Sequence, residues 1–140
     1  MMIQQMVSPE SIAGLLVRVF TGILFFFQGY DKVFRMGVKQ VYSTISPSYI
    51  NAGVPAVIVK FTSYLTSYIE LTGGLLLILG LAKYYAIYAL GFDLVIVAIG
   101  MSFLNPVWDL QHVFPRFLLL LFLLIYPGSL DIIGLDHFIF

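Results

Sequence analysis

Four ionisable side chains interrupt runs of residues otherwise suited to an apolar solvent: Arg18, Glu70, Asp93 and Arg116. Between Ser11 and Tyr30, Arg18 is the one charged residue, far from either end of that run. A charge at the centre of a membrane helix costs about 2.5–3.5 kcal/mol on insertion scales, so such groups are expected to face inward and pair. An acid–base cluster in that setting suits two kinds of chemistry: holding a proton, or hydrogen-bonding the headgroup of a bound amphiphile. It equally suits a structural ion pair that fixes helix register. The residue types alone leave both readings open.

Depth predicts which of these groups meet. At 1.5 Å per residue, Arg18 lies about 20 Å from one end of the helices counted back from Lys32, and Glu70 about 22 Å from that end counted forward from Pro55. Asp93, counted back from Asn105, lies about 18 Å from it. The expectation is one layer holding Arg18, Glu70 and Asp93, with Arg18 and Glu70 as the ion pair. Glu70 is then the candidate proton carrier, Asp93 the relay and Arg18 the electrostatic partner. Two acids against one base leave one carboxyl without an opposite charge, which makes the layer a place to hold a proton. Arg116 is expected nearer the same end, within reach of Asp109 or Asp31. Lys32 is expected to snorkel to the interface, as is Lys60. Lys32 and Arg116 complete the set of ion-pair or headgroup-binding candidates.

Helical phase supports an inward orientation. Gly14, Arg18, Thr21, Gly22, Phe25, Gln28, Gly29 and Lys32 recur at spacings of three and four and share one face. Lys60, Ser63, Ser67, Glu70 and Gly74 form a matching stripe, and Ala86, Ala89, Asp93 and Gly100 a sparser one. Small residues let membrane helices approach, and polar ones bond across the gap.

The elements that must position these groups follow from composition. The chain has 140 residues, enough for a single domain; 61% are hydrophobic and 10% charged, against about 25% charged in an average soluble domain. A soluble helical bundle needs polar faces, and "FLLLLFLLIY" (117–126) has none. The class expected is all-α: an integral-membrane, antiparallel four-helix bundle. Its spans are placed near 9–34, 55–81, 84–104 and 112–133, joined by a longer connection over 35–54 with a short interfacial helix near 37–44. Ser8, Pro9 and Glu10 make a suitable helix start, and Asn105-Pro106 and Pro127-Gly128 are stops. Lys83 with Tyr84 and Tyr85 is read as an interfacial turn, and the tail "LDHFIF" as apolar enough for the interface or a partner. No basic n-region or cleavage site precedes the first span, which is therefore read as retained. Lys32, Arg35 and Lys39 cluster on one side, so the positive-inside rule places both termini on the other, non-cytoplasmic side.

Several functions are disfavoured. The net charge is zero and no basic stripe suggests nucleic acid. There is no cysteine, which excludes intrinsic disulfide exchange and iron–sulfur ligation. His112 and His137 fall at opposite ends of the last span, too far apart to clamp one haem. No metal site, phosphate loop or Ser-His-Asp set is visible. No intrinsic cofactor and no self-contained catalytic site are expected.

Arg18 followed by Gly22, then Gly29 with Lys32, then "ELTGGLLLILGL" from Glu70 to Leu81, resembles the DoxX family of small bacterial membrane proteins. "PVWDLQHVFPRFLLLLFLL" (106–124) is similar to the fourth-span region of DoxX-like proteins from Bacteroidetes. One departure is Ala82-Lys83, where many members carry Thr-Arg. The resemblance implies a four-helix protein of the bacterial inner membrane. It also implies a connection with redox assemblies, since related DoxD proteins belong to a thiosulfate:quinone oxidoreductase. Two functions follow as expectations. The first is an accessory or structural subunit of a larger membrane assembly, in contact with lipid and other membrane subunits. The second is a quinone-interacting oxidoreductase subunit using the Arg18–Glu70–Asp93 layer.

Overall fold

The computed structural model describes residues 8–104, 113–126 and 134–139. Helix α1 (Pro9–Tyr30) starts as expected: the Ser8 side chain accepts from the Ser11 N–H at 3.2 Å, with Pro9 in the first turn. It continues without a break into a π-helical turn, Asp31–Arg35, closed by the Met36 N–H donating to the Asp31 carbonyl at 2.8 Å. Gly37, at φ 81°, redirects the chain into α2 (Val38–Asn51).

Helix α2 is longer than the 37–44 segment expected. Pro47 lies inside it, and it cannot donate to the Ser43 carbonyl. Ser43 and Pro47 are both exposed, so the unmatched carbonyl is not buried and the helix runs on.

Helix α3 (Ala56–Leu79) ends at Gly80, whose left-handed φ of 68° lets the Leu81 N–H reach back to the Leu76 carbonyl at 3.0 Å. Helix α4 (Lys83–Ser102) follows after Ala82, itself left-handed at φ 48°. Helix α5 (Phe114–Ile125) and the short α6 (Leu135–Ile139) complete the described elements.

Small residues set the closest packing, between α1 and α3. A Cβ at Gly22 would stand 2.8 Å from the Gly74 carbonyl oxygen, and Gly29 lies against the backbone of Leu71. The order of these contacts makes the two helices antiparallel. Gly73 receives the Leu90 side chain from α4. Phe25, Leu77, Leu90, Leu120 and Leu123 form the apolar core between α1, α3, α4 and α5. Leu16, Phe20, Phe27, Phe61, Phe92 and Ile99 are exposed, as suits helices whose outer faces meet lipid rather than water.

Among the described residues, two helices are both long and apolar enough to cross a membrane, Pro9–Arg35 and Lys83–Ser102. Helix α3 has 24 residues, about 36 Å at 1.5 Å per residue, but carries Lys60, Glu70 and a series of hydroxyls on its length. Helix α5 has 12 residues, about 18 Å against a hydrocarbon core of about 30 Å. The expected 112–133 span extends beyond it, and residues 112 and 127–133 lie outside those described.

Candidate functional site

The expected Arg18–Glu70 pair does not form. Lys32 Nζ binds Glu70 instead, at 3.1 Å from Oε1 and 3.0 Å from Oε2. The reason is helix register. Gly29, not Arg18, is level with Glu70 and Leu71, and eleven residues separate Gly29 from Arg18, about 16 Å along the axis. Depth reckoned from Lys32 and from Pro55 assumed that α1 and α3 end at one level. In fact α3 starts well beyond the end of α1, and α2 packs on that extra length. Lys32 therefore does not snorkel outward. Its side chain is 23% exposed and the Glu70 side chain 2%.

Asp93 does join Glu70. Helix α4 places it fully buried beside the Glu70 carboxyl. Among the described residues, neither Asp93 oxygen meets an N–H or O–H donor. Arg116, half-buried on α5, acts electrostatically on both carboxyls. Asp31, offered as its partner, pairs instead with Arg35 at 2.8 Å on the exposed π turn; the alternative, Asp109, lies outside the described residues. The cluster is thus Lys32, Glu70, Asp93 and Arg116, with Arg18 elsewhere. Among the described residues, no group of three or more metal-ligating side chains gathers there.

Lys32 has a second neighbour that the sequence did not reveal. A partly open cavity of about 330 Å³ lies between α2, α3 and α4, with Lys32 in its wall. Val41, Ile45 and Tyr49 of α2 form one side, and Ile96, Val97 and Gly100 of α4 another. From α3 come Val59, Thr62, Ser63 and Thr66. Tyr49 reaches α4 where Gly100 has no side chain; a Cβ there would stand 3.1 Å from the Tyr49 hydroxyl. Of the hydroxyls at 62, 63 and 66, the sequence stripe contained Ser63 alone. That α2 folds back to wall them off was not legible, because it depends on a 14-residue helix where a connection with only a short helix was expected.

Arg18 is buried at the other end of the molecule. Its guanidinium lies against Gly80 and Gly134, in space that a Cβ at either position would occupy. There the tail docks on its own chain, with Leu135 and Phe138 left exposed. The Asp136 N–H donates to the Gly80 carbonyl at 2.9 Å. The Asp136 carboxylate accepts from the backbone N–H groups of Ala82 and Lys83 at 2.7 and 2.9 Å. Ala82 has no side-chain cap to offer α4, so Asp136 caps the helix from outside. Lys83, read as an interfacial residue, is 5% exposed with its ammonium 4.7 Å from the Tyr84 ring centroid. Nearby, the Tyr126 hydroxyl donates to the Glu10 carbonyl. Lys60 is exposed. Trp108 and His112 lie outside the described residues.

Glycine-paired antiparallel helices around buried acid–base groups define a small helical membrane protein. Residues 13–104 match the DoxX family, and the chain belongs to it. Comparison with curated proteins and with solved structures finds no match.

Proposed function

We propose that this DoxX protein is a four-span, multi-pass subunit of a redox assembly in a bacterial inner membrane, and that its cavity binds a quinone-class ring. The observation that carries this reading is the placement of Lys32. One side chain both lines the apolar cavity and holds Glu70, with the donorless Asp93 behind it. A volume of about 330 Å³ is at the lower end for small-molecule sites. It accommodates a single substituted ring, and an isoprenoid tail must leave through the open side. The residues present fit such a ring: apolar walls flank it, and the Lys32 ammonium, which donates to Glu70 Oε1, has further N–H groups to offer.

A bound quinone supplies paired electron and proton transfer. The chain's own groups orient the ring and manage the proton. Lys32 donates a hydrogen bond to a ring oxygen. Glu70 and Asp93, adjacent and buried, cannot both be ionised cheaply, so the pair holds a proton within reach of Lys32. Arg18 has no part in this, which replaces the layer read from the sequence.

A binding titration of a short-tailed benzoquinone, with the protein in lipid nanodiscs, tests the reading. Binding is expected for the unaltered chain and at least a tenfold loss for Thr66→Phe, which fills the cavity without touching the ion pair. Unchanged binding by that variant would place the ring elsewhere.

A second reading, an accessory subunit with structural ion pairs only, is favoured by the two-point Lys32–Glu70 contact, which ties the end of α1 to α3. Native mass spectrometry of gently extracted complexes separates the two. Partner subunits at fixed stoichiometry with no retained quinone would support the accessory role alone.

A further inference from the structure

The polar groups of the cavity are unevenly divided between donors and acceptors. Two of the hydroxyls on its α3 wall, Ser63 and Thr62, have already committed their hydrogens to their own helix, whereas Thr66 Oγ1 lies 3.5 Å from the Ser63 carbonyl. Ser63 Oγ donates to the Val59 carbonyl at 2.7 Å. Thr62 Oγ1 faces the Ile58 and Val59 carbonyls at 2.9 and 3.1 Å. Ser63 is 3% exposed and Thr66 8%, so water does not compete freely for these two, while Thr62 is half-buried. What such oxygens offer the cavity is lone pairs. Turning a hydroxyl hydrogen toward a ligand would cost it a backbone hydrogen bond of good length. Lys32 is the donor at the inner end of the cavity, and the Tyr49 phenol lies across it against Gly100.

A ring carrying only carbonyl acceptors can be met by Lys32, but a second oxygen set against Ser63 and Thr62 meets their lone pairs. A ring carrying hydroxyls satisfies both sides. One oxygen accepts from Lys32 while an O–H donates to Ser63 or Thr62. A site built to accept from a ligand hydroxyl discriminates against the analogue that lacks it, because the oxygens of both partners are left unmatched.

We infer that the cavity selects the reduced, dihydroxy form of the ring over the oxidised form, with Ser63 and Thr62 as the residues that set this preference. The inference rests on the quinone-class reading of the site above. It makes Ser63 and Thr62 specificity determinants rather than catalytic residues, since Lys32, Glu70 and Asp93 alone are placed near the exchanging proton.

The test compares one short-tailed benzoquinone in its reduced and oxidised forms, titrated anaerobically against the protein in nanodiscs. The reduced form is expected to bind about tenfold more tightly, in line with one well-made hydrogen bond in a buried site. Ser63→Ala and Thr62→Val remove the acceptors but leave the helix's own backbone bonds in place, so both variants should fold. Each should narrow the preference to a few-fold, and the double variant should bring the two affinities together by weakening the reduced form only. Equal or tighter binding of the oxidised form to the unaltered chain overturns the inference and leaves the cavity reading standing. A preference that survives the double variant also overturns it. Binding of neither form overturns this inference and the quinone reading together.

Discussion

At the α3–α4 turn the Asp136 carboxylate accepts from two backbone N–H groups at 2.7 and 2.9 Å; at the other end of α4's buried face, Asp93 is shut off from solvent and meets no donor among the described residues. Both regions place a carboxylate next to basic side chains, with Arg18 and Lys83 near the first and Lys32 and Arg116 near the second. The first region is closed around its charge by glycines and by the chain's own tail. The second has a cavity beside it. Burial of charge is therefore a poor guide to function on its own. A carboxylate saturated by backbone donors fixes a turn, whereas one with vacant lone pairs next to a cavity has capacity left for a proton or a ligand.

Four substitutions probe that contrast. The largest effect is expected from Lys32→Met, which strands Glu70 as a buried unpaired charge; removal of one partner of a buried pair costs about 3–5 kcal/mol. A thermal or denaturant midpoint in detergent should fall accordingly. Adding Glu70→Leu should restore most of it, because the pair as a whole stabilises little relative to apolar residues. If the double variant is as unstable as the single one, the pair is not the organising contact at this end.

Next is Gly80→Ala. The left-handed backbone at φ 68° costs a side chain about 1–2 kcal/mol, and the new methyl occupies the place of the Arg18 guanidinium. A loss of about 3 kcal/mol is expected, measured as the same midpoint, with the affinity for a short-tailed benzoquinone in the folded fraction unchanged. An altered affinity would show that the two ends are coupled.

Asp136→Ala removes the cap of α4 and should cost about 1 kcal/mol, in the range of other lost helix caps. Faster amide hydrogen exchange at residues 82 and 83 is the local signature. Unaltered exchange there would mean that the tail does not hold the turn.

The smallest stability change is expected for Asp93→Asn. It should stay within about 1 kcal/mol of the unaltered chain, because the new amide is uncharged, close in shape to the carboxyl, and can donate to Glu70 as a protonated Asp93 would. Infrared difference spectra should nevertheless lose the band of a protonated carboxyl. Large destabilisation would make Asp93 as structural as Asp136, and the contrast between the two ends would fail.

Much of the secondary structure was legible because it rests on local signals. Ser8-Pro9 starts α1 where expected, and the turn near 80–83 separates α3 from α4. The inward stripe on α1 was also legible, since Gly14, Arg18, Thr21, Gly22, Phe25 and Gly29 are all buried, and periodicity within one helix needs no partner to be read. Glu70 and Asp93 met for the same reason: a short antiparallel turn at Gly80 fixes their relative depth. Helix α2 was underestimated because the polar stretch 35–54 was read as a connection, and Pro47 within it removes a helix hydrogen bond. Only its exposed position makes it harmless.

What the sequence determined by itself is that the chain is helical, apolar on its outward faces and charged on its inward ones, because those properties follow from residue type and a period of 3.6. Which charge meets which was decided by the tertiary structure alone. The sliding register of α1 against α3 is set where Gly22, Gly29 and Gly74 permit backbone contact, and a shift of about four turns exchanges Arg18 for Lys32 as the partner of Glu70. The cavity and the tail's cap on α4 likewise join residues distant in the chain, Tyr49 with Gly100 and Asp136 with Ala82. No pattern within a single helix encodes such contacts, because their geometry comes into being only when the helices pack.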